Sequence, residues 1–83
     1  MVAQDLKITI YTQPGCGDCR RAKMFFEHCR LAYTEKNIQA DPQALAELEK
    51  LGSQTLATVV IGDEVFPGFM NNLYKIKDKL GLE

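Results

Sequence analysis

Two cysteines separated by two residues are the part of this sequence best suited to chemistry. Cys16 and Cys19 enclose Gly17-Asp18, and they follow a predicted strand at the point where a helix begins, so their sulfurs are close enough to form a disulfide. The thiolate is the nucleophile in disulfide exchange, and the free N–H groups at a helix N-terminus stabilise an anion. We therefore predict that Cys16 is the attacking thiolate and that the more covered Cys19 is the resolving group.

Charged residues around the pair act in opposite directions. Asp18 lies between the cysteines, and its carboxylate disfavours a nearby thiolate. That carboxylate also suits the positive end of the helix dipole, so its net effect depends on the direction in which it points. Three basic residues follow and favour a thiolate: Arg20, Arg21 and Lys23. We expect the dipole and the basic residues to outweigh Asp18 at Cys16.

A metal site is the alternative chemistry for two cysteines at this spacing. A structural zinc site uses four ligands, and the only further soft ligands are His28, expected in solvent, and Cys29, expected to be a small buried hydrophobe. One chain therefore lacks a complete set, and no metal ligand is predicted within it. Two chains that each contribute Cys16 and Cys19 would supply four thiolates for a metal ion or an iron–sulfur cluster.

The composition indicates one globular domain over residues 1–83. Ten Lys and Arg against eleven Asp and Glu give a net charge of −1, which argues against a nucleic-acid partner. No apolar run approaches the roughly 18 residues of a membrane span, and residues 1–5 lack the features of a secretory signal. Three cysteines are too few for a disulfide-stapled secreted scaffold. We expect a cytoplasmic monomer without a membrane partner.

Periodicity and turn residues predict the elements that place the cysteines. An alternating, β-branched run predicts a strand over 6–12, which Gln13-Pro14-Gly15 ends. A helix is predicted from about 17 to 30, and a weaker strand over 31–38. The apolar face of this helix has the spacing i, i+3, i+4, i+7 and consists of Ala22, Phe25, Phe26 and Cys29.

The second half of the chain predicts a helix, a hairpin and a last helix. Asp41-Pro42 supplies a cap and a first-turn proline, and Gly52 a suitable helix end. A buried strand over 56–61 turns into a partner around Val65-Phe66, before a helix over 70–80. The residues expected to face inward are Leu45, Leu48 and Leu51 in the first helix and Met70, Leu73, Ile76 and Leu80 in the last. The order β-α-β-α-β-β-α predicts an α/β fold with a mixed sheet.

The sequence resembles the glutaredoxins, within the thioredoxin-fold superfamily, over nearly its whole length. The resemblance rests on Ile10-Tyr11-Thr12-x-x-x-Cys16-x-x-Cys19, on the run from Thr58 to Val65, and on Gly68-Phe69 before the last helix. It implies a thioredoxin-like fold, with a four-stranded mixed sheet flanked by three helices.

The resemblance also implies a function, which is thiol–disulfide oxidoreduction in electron transport and cell redox homeostasis. The expected substrates are disulfide-containing or glutathionylated proteins, and the expected electron donor is glutathione or a flavoprotein reductase. Glutathione would be a co-substrate, and no tightly bound cofactor is implied. The positions expected to bind glutathione or substrate are Gln13, Leu56, Ala57, Gly68, Phe69, Met70 and Asn71.

Ala57 departs from the family at the place of its cis-proline. A cis bond before a non-proline residue costs about 3–4 kcal/mol, against about 0.5–1 kcal/mol before proline. We therefore predict a trans Leu56–Ala57 bond and a displaced loop, with the Leu56 backbone still the best partner for a bound peptide. The resemblance also implies that the family's cis-proline keeps metal ions away from the cysteine pair. Its replacement by Ala57 weakens that protection and so favours the metal-binding alternative.

The groups that would bind the charges of glutathione differ as well. Gln13 replaces a frequent Lys, and Asn71 and Asn72 replace acidic residues, so charge assistance is lost. The main-chain N–H groups of residues 68–70, at the start of the last helix, are expected to remain an anion site. We predict weak glutathione binding, with a millimolar or looser constant.

Two expectations concern aromatic residues near the sulfur. Gly17-Asp18 stands where Pro-Tyr is familiar, so a shielding Tyr is absent, and Tyr11 either takes part of that role or packs in the core. An apolar group beside the groove either docks a substrate or completes the core. Its members are Phe66, Pro67 and Phe69.

Overall fold

The sheet is arranged around the strand that leads to Cys16. A computed structural model describes residues 7–82, so Leu6 of the predicted first strand and the ends of the predicted domain lie outside the described residues. The elements are β1 (Ile8–Thr12), α1 (Gly17–His28), β2 (Thr34–Asn37), α2 (Pro42–Lys50), β3 (Thr58–Ile61), β4 (Glu64–Pro67), a 3₁₀ turn (Met70–Asn72) and α3 (Leu73–Leu80).

The four strands lie in the order β2-β1-β3-β4. β1 pairs in parallel with β2, where Thr9 is opposite Thr34, and antiparallel with β3, where Ile10 is opposite Val59. β3 and β4 form the antiparallel hairpin. The predicted thioredoxin-like fold, a four-stranded mixed sheet with three helices, is confirmed.

Each face of the sheet is covered by its own layer of helices. Alternate residues of β1 point to opposite faces: Ile8 and Ile10 join the larger core cluster, whereas Tyr11 joins the smaller one. The larger cluster receives Phe26 from α1 and Ile76 from α3, both fully buried. The smaller cluster receives two buried residues from α2, Ala44 and Leu48. The cysteine-bearing helix therefore lies on the same side of the sheet as α3.

The inward-facing residues predicted for the second and the last helix are wrong in part, because some of them are exposed. Leu45 and Leu51 of the α2 region are exposed, because the helix packs on the sheet through Ala44 and Leu48, one turn apart. Met70 is also exposed, because the chain begins its last helical segment as a 3₁₀ turn with a tighter period of three residues. The predicted helix end at Gly52 is consistent with the structure, since this glycine has a positive φ of 77°, and Gly81, which follows α3, has a positive φ of 74°.

The C-terminal end of α1 differs from its prediction. The helix ends at His28, two residues earlier than expected, and Cys29 is its C-cap. Cys29 is half-buried there rather than buried in the core, because a capping residue lies beyond the last turn that packs on the sheet. His28 is exposed, as predicted.

Phe26 anchors α1 to the core. Its ring centroid lies 5.3 Å from that of Phe25 and 6.1 Å from that of Phe69. We expect Phe26→Ala to lower the free energy of unfolding by about 3–5 kcal/mol, because it removes a fully buried ring. Met24→Ala on the same helix is the control, since Met24 is 61% exposed; its effect should be about 0.5 kcal/mol or less. Urea denaturation measures both, and equal losses would contradict this packing.

Candidate functional site

Cys16 is the N-cap of α1, and its sulfur is the acceptor of a cap hydrogen bond. The backbone is extended at this residue, with φ −93° and ψ 113°, and the N–H of Cys19 donates to Cys16 Sγ at 3.1 Å. Capping normally uses a side-chain oxygen for this N–H. Here the sulfur takes that place, so the free N–H groups and the positive end of the helix dipole face it.

Cys19 has a different environment one turn along the helix. It is only 2% exposed, and Cys16 is half-buried. Burial raises the pKa of the Cys19 thiol to about 12, and its interaction with the Cys16 sulfur and the charge of Asp18 act in the same direction. Cys19 is therefore a neutral thiol at neutral pH. The two sulfurs therefore differ in access, with Cys16 at the surface and Cys19 behind it in the core.

An open groove of about 310 Å³ runs beside the cysteines. Gln13, one of the predicted binding residues, is exposed in the loop that forms part of its wall. Lys23 also lies there, with its Nζ 3.1 Å from Glu35 Oε2. The lining residues are Gln13, Pro14, Gly15, Cys16, Gly17, Cys19, Arg20 and Lys23. The groove gives a disulfide a route to the Cys16 sulfur.

The carboxylate of Asp18 hydrogen-bonds to main-chain groups on two other segments. Its Oδ2 accepts the N–H of Ala57 at 3.2 Å and the N–H of Phe69 at 2.7 Å, and its Oδ1 accepts the N–H of Met70 at 3.1 Å. These contacts hold the charge of Asp18 toward main-chain donors. Asp18 thus connects the first turn of α1 to both loops beside the cysteines.

The main-chain N–H groups of residues 68–70, which were expected to form an anion site, are used within the chain, two of them by the Asp18 carboxylate. Asp18 takes the N–H groups of Phe69 and Met70, and the N–H of Gly68 donates to the carbonyl of Ala57 at 2.8 Å. All three donors therefore have acceptors within the chain. The physical reason is that the Asp18 carboxylate, on the first turn of α1, lies within hydrogen-bond distance of the N–H groups of Phe69 and Met70.

The Leu56–Ala57 peptide bond is cis, so the prediction of a trans bond is also wrong. The Ala57 N–H donates to Asp18 and its carbonyl accepts from Gly68, while its side chain is fully buried. The cost of a cis bond is a local property, whereas tertiary contacts with Asp18 and Gly68 use both main-chain hydrogen-bonding groups of Ala57. Leu56 is half-buried and packs against both core clusters.

Other predicted residues divide between surface and core. Asn71 is exposed, whereas the side-chain amide of Asn72 donates to the carbonyls of Pro67 and Gly68 at 2.7 and 2.9 Å. In the apolar group suggested for docking, Phe66 and Phe69 are buried at 3% and 2% exposure and complete the core, whereas Pro67 is exposed. Their burial leaves no continuous docking patch of these three residues.

Tyr11 belongs to the core on the opposite face of the sheet from α1. It is 6% exposed, packs with Ala44 and Leu48, and donates from its hydroxyl to Glu47 Oε1 at 3.1 Å. Burial and this hydrogen bond raise its pKa. Of the two roles considered for Tyr11, packing is the one that the structure shows.

Within residues 7–82 no group of three or more His, Cys, Asp or Glu side chains is arranged to hold a metal ion. No helix in the same part of the chain combines the length and the apolar character needed to cross a membrane.

Comparisons with known proteins identify similar chains. The family model described as Glutaredoxin matches residues 8–66. A mutant form of the thioredoxin-like protein BC3987 is 36% identical, with a TM-score of 0.85 over 93% of this chain and 97% of that one. The glutaredoxin-like protein NrdH-redoxin from Escherichia coli is 28% identical, with a TM-score of 0.74 over 84% and 92% of the two chains.

A curated relative is similar over a shorter segment. The global transcriptional regulator Spx 1 of Bacillus cereus is 39% identical over 44 residues, which is 53% of this chain and 34% of the regulator. The matched segment therefore spans about a third of the regulator's length.

The main residue that sequence reasoning missed is Asp18 in its role as a bridge. The sequence showed its charge and its place near a helix start, but its three partners lie 39, 51 and 52 residues away. No periodicity or spacing connects such positions. The only available signal was an acidic residue in the first turn, which is common because of the helix dipole.

The contrast between the two sulfurs predicts selective alkylation. With the reduced protein at pH 7.5 or so, we expect iodoacetamide to modify Cys16 at least about tenfold faster than Cys19, because Cys19 is buried and its thiol is neutral. Peptide mapping by mass spectrometry measures both rates, with the half-buried Cys29 as an internal reference. Equal rates at Cys16 and Cys19 would contradict this division.

Proposed function

This chain belongs to the glutaredoxin family, and from that premise we propose that it is a thiol–disulfide oxidoreductase that reduces protein disulfides or glutathione mixed disulfides through Cys16 and Cys19. The observation that supports the proposal best is the asymmetry of the pair. The Cys16 sulfur caps a helix beside an open groove, and the Cys19 thiol is buried one turn behind it.

The first step forms a mixed disulfide. The Cys16 thiolate attacks one sulfur of the substrate disulfide, so a Cys16–substrate bond forms, the substrate S–S bond breaks, and one substrate thiolate leaves. The N–H of Cys19 and the helix dipole stabilise negative charge at Cys16 before attack. The groove on the Gln13–Lys23 side admits the substrate.

The second step releases the substrate and uses Cys19. The Cys19 thiol loses its proton to the departing thiolate or to water and attacks Cys16 Sγ. A Cys16–Cys19 disulfide forms and the second substrate thiolate leaves, so two electrons pass from the protein to the substrate. Because the pKa of Cys19 is raised to about 12, its proton must be removed as it attacks. Glutathione or a flavoprotein reductase then supplies two electrons to restore the dithiol.

The similar proteins support thiol–disulfide exchange as the class of reaction. NrdH-redoxin from Escherichia coli is glutaredoxin-like with a thioredoxin-like activity profile, and BC3987 is thioredoxin-like. A monomer in the cytoplasm without a tightly bound cofactor remains our expectation.

Metal or cluster binding by two chains is the second candidate. It is favoured by the half-buried Cys16 sulfur, which a second chain can approach. It is disfavoured by Cys19, because a ligand thiolate must be both deprotonated and reachable, and Cys19 is 2% exposed with a raised pKa. Purified protein with a visible absorbance band, or with about half an equivalent of metal per chain, would favour this candidate over the enzyme.

Cysteine variants test the proposed exchange. We expect Cys16→Ser to abolish dithiothreitol-driven reduction of 2-hydroxyethyl disulfide above the uncatalysed rate, because the nucleophile is lost. Cys19→Ser should accumulate a mixed disulfide on Cys16, visible as an added mass on the intact protein. Cys29→Ser is the matched control, since it removes a thiol at the far end of α1.

Two outcomes would count against the dithiol scheme. Retained turnover in Cys16→Ser would exclude that sulfur as the nucleophile. Full turnover with glutathione in Cys19→Ser would instead show a monothiol mechanism, in which glutathione resolves the mixed disulfide.

A further inference from the structure

Three main-chain N–H groups beside the active cysteines point at one carboxylate of the same chain. Asp18 accepts from Ala57, Phe69 and Met70 at 3.2, 2.7 and 3.1 Å. Grouped N–H donors of this kind bind anions, and hydrogen bonds to a charged acceptor are stronger than neutral ones. Asp18 follows Cys16 by two residues, so this anion lies within the first turn of the helix that Cys16 caps.

We propose that Asp18 determines substrate specificity by occupying this anion position, so that the protein exchanges with protein disulfides in preference to small thiols that carry a carboxylate, such as glutathione. The inference rests on the proposed oxidoreductase function and names the substrate class of the same site. Asp18 is a specificity residue here and takes no part in bond making.

The main-chain N–H groups of residues 68–70 are already used within the chain. The N–H groups of Phe69 and Met70 are taken by Asp18, and the N–H of Gly68 is taken by the carbonyl of Ala57. A ligand carboxylate placed there would meet the like charge of Asp18, and none of these three N–H groups would be free to bind it. It would have to displace Asp18, which would leave that carboxylate without its three partners.

Covalent connection makes such displacement unfavourable. Asp18 is fixed to α1, so its carboxylate competes at the effective concentration of a short tether rather than at a bulk concentration. A free carboxylate must also lose its translational freedom on binding. Glutathione at ordinary millimolar levels is therefore at a disadvantage against a group that is already bound.

Protein substrates have a route that avoids this position. The open groove is lined on the Gln13–Lys23 side of the cysteines, and Asp18 is not among its lining residues. Exposed Arg20 lies in that wall. A disulfide within a protein chain needs no free carboxylate to be held at the sulfur, so occupation of the anion position does not impede it.

The test measures binding of S-methylglutathione, which has both carboxylates of glutathione but no thiol. We expect wild-type protein at 10 mM or so of this probe to show no shift of the Phe69 and Met70 amide signals by NMR. Asp18→Ala should bind it at least about tenfold more tightly, with those two amides shifting, because the donors are then vacant. Asp18→Asn keeps the side-chain volume and one acceptor oxygen, and we expect a smaller gain.

A matched control removes the same charge elsewhere. Asp63 lies in the exposed turn between β3 and β4. The affinity of Asp63→Ala for the probe should equal that of wild type. Addition of sodium formate should raise the melting temperature of Asp18→Ala more than sodium chloride of equal concentration does. Wild type should respond equally to the two salts, because Asp18 already fills the position.

The two failures can be told apart. The probe cannot exchange disulfides, so its binding does not depend on redox activity at Cys16. Unchanged affinity in folded Asp18→Ala and Asp18→Asn would overturn the inference and leave Asp18 as a structural bridge only. Micromolar binding by wild type, with shifts at Phe69 and Met70, would overturn it as well, and this measurement stands even where Asp18→Ala fails to fold.

Discussion

The junction between β1 and α1 determines where every other part of the site lies. β1 is one of two inner strands, it pairs with a neighbour on each side, and all five of its residues are buried, so its C-terminal end has a fixed position in the sheet. The helix begins five residues later with Cys16 as its cap. The strand is fixed by its two neighbours, and the helix is fixed by Phe26 in the core. The first-turn N–H groups, which have no acceptor within the helix, are therefore held at one place on the surface.

Within that first turn, three side chains point in three different directions. Cys16 places its sulfur over the helix end, Asp18 reaches across to Ala57 and the segment before α3, and Cys19 turns into the core. The Cys16 sulfur thus lies at the positive end of the helix dipole, while the Asp18 carboxylate beside it is bound to main-chain donors. A single turn therefore combines an accessible capping sulfur, a buried sulfur and an attachment to two distant loops.

The sequence predicted local features well, because their causes are local. The strand, the break at residues 13–15 and the cap at Asp41-Pro42 depend on neighbours in the chain, and the order of elements leaves few ways to build the sheet. The buried face of α2 and the exposure of Met70 depend on how helices settle on the sheet, which a period of 3.6 cannot resolve for a short helix. The contacts of Asp18 and the cis bond at Leu56–Ala57 depend on segments brought together only by folding.

The two outer strands have a further consequence for how the protein meets other chains. β2 carries Glu35 and Lys36, and β4 ends in Pro67, whose nitrogen has no hydrogen to donate. Charged side chains and proline on an edge discourage the addition of another strand, and with it aggregation. Because neither outer strand favours a further strand, an extended polypeptide beside the protein has little tendency to become a permanent part of its sheet.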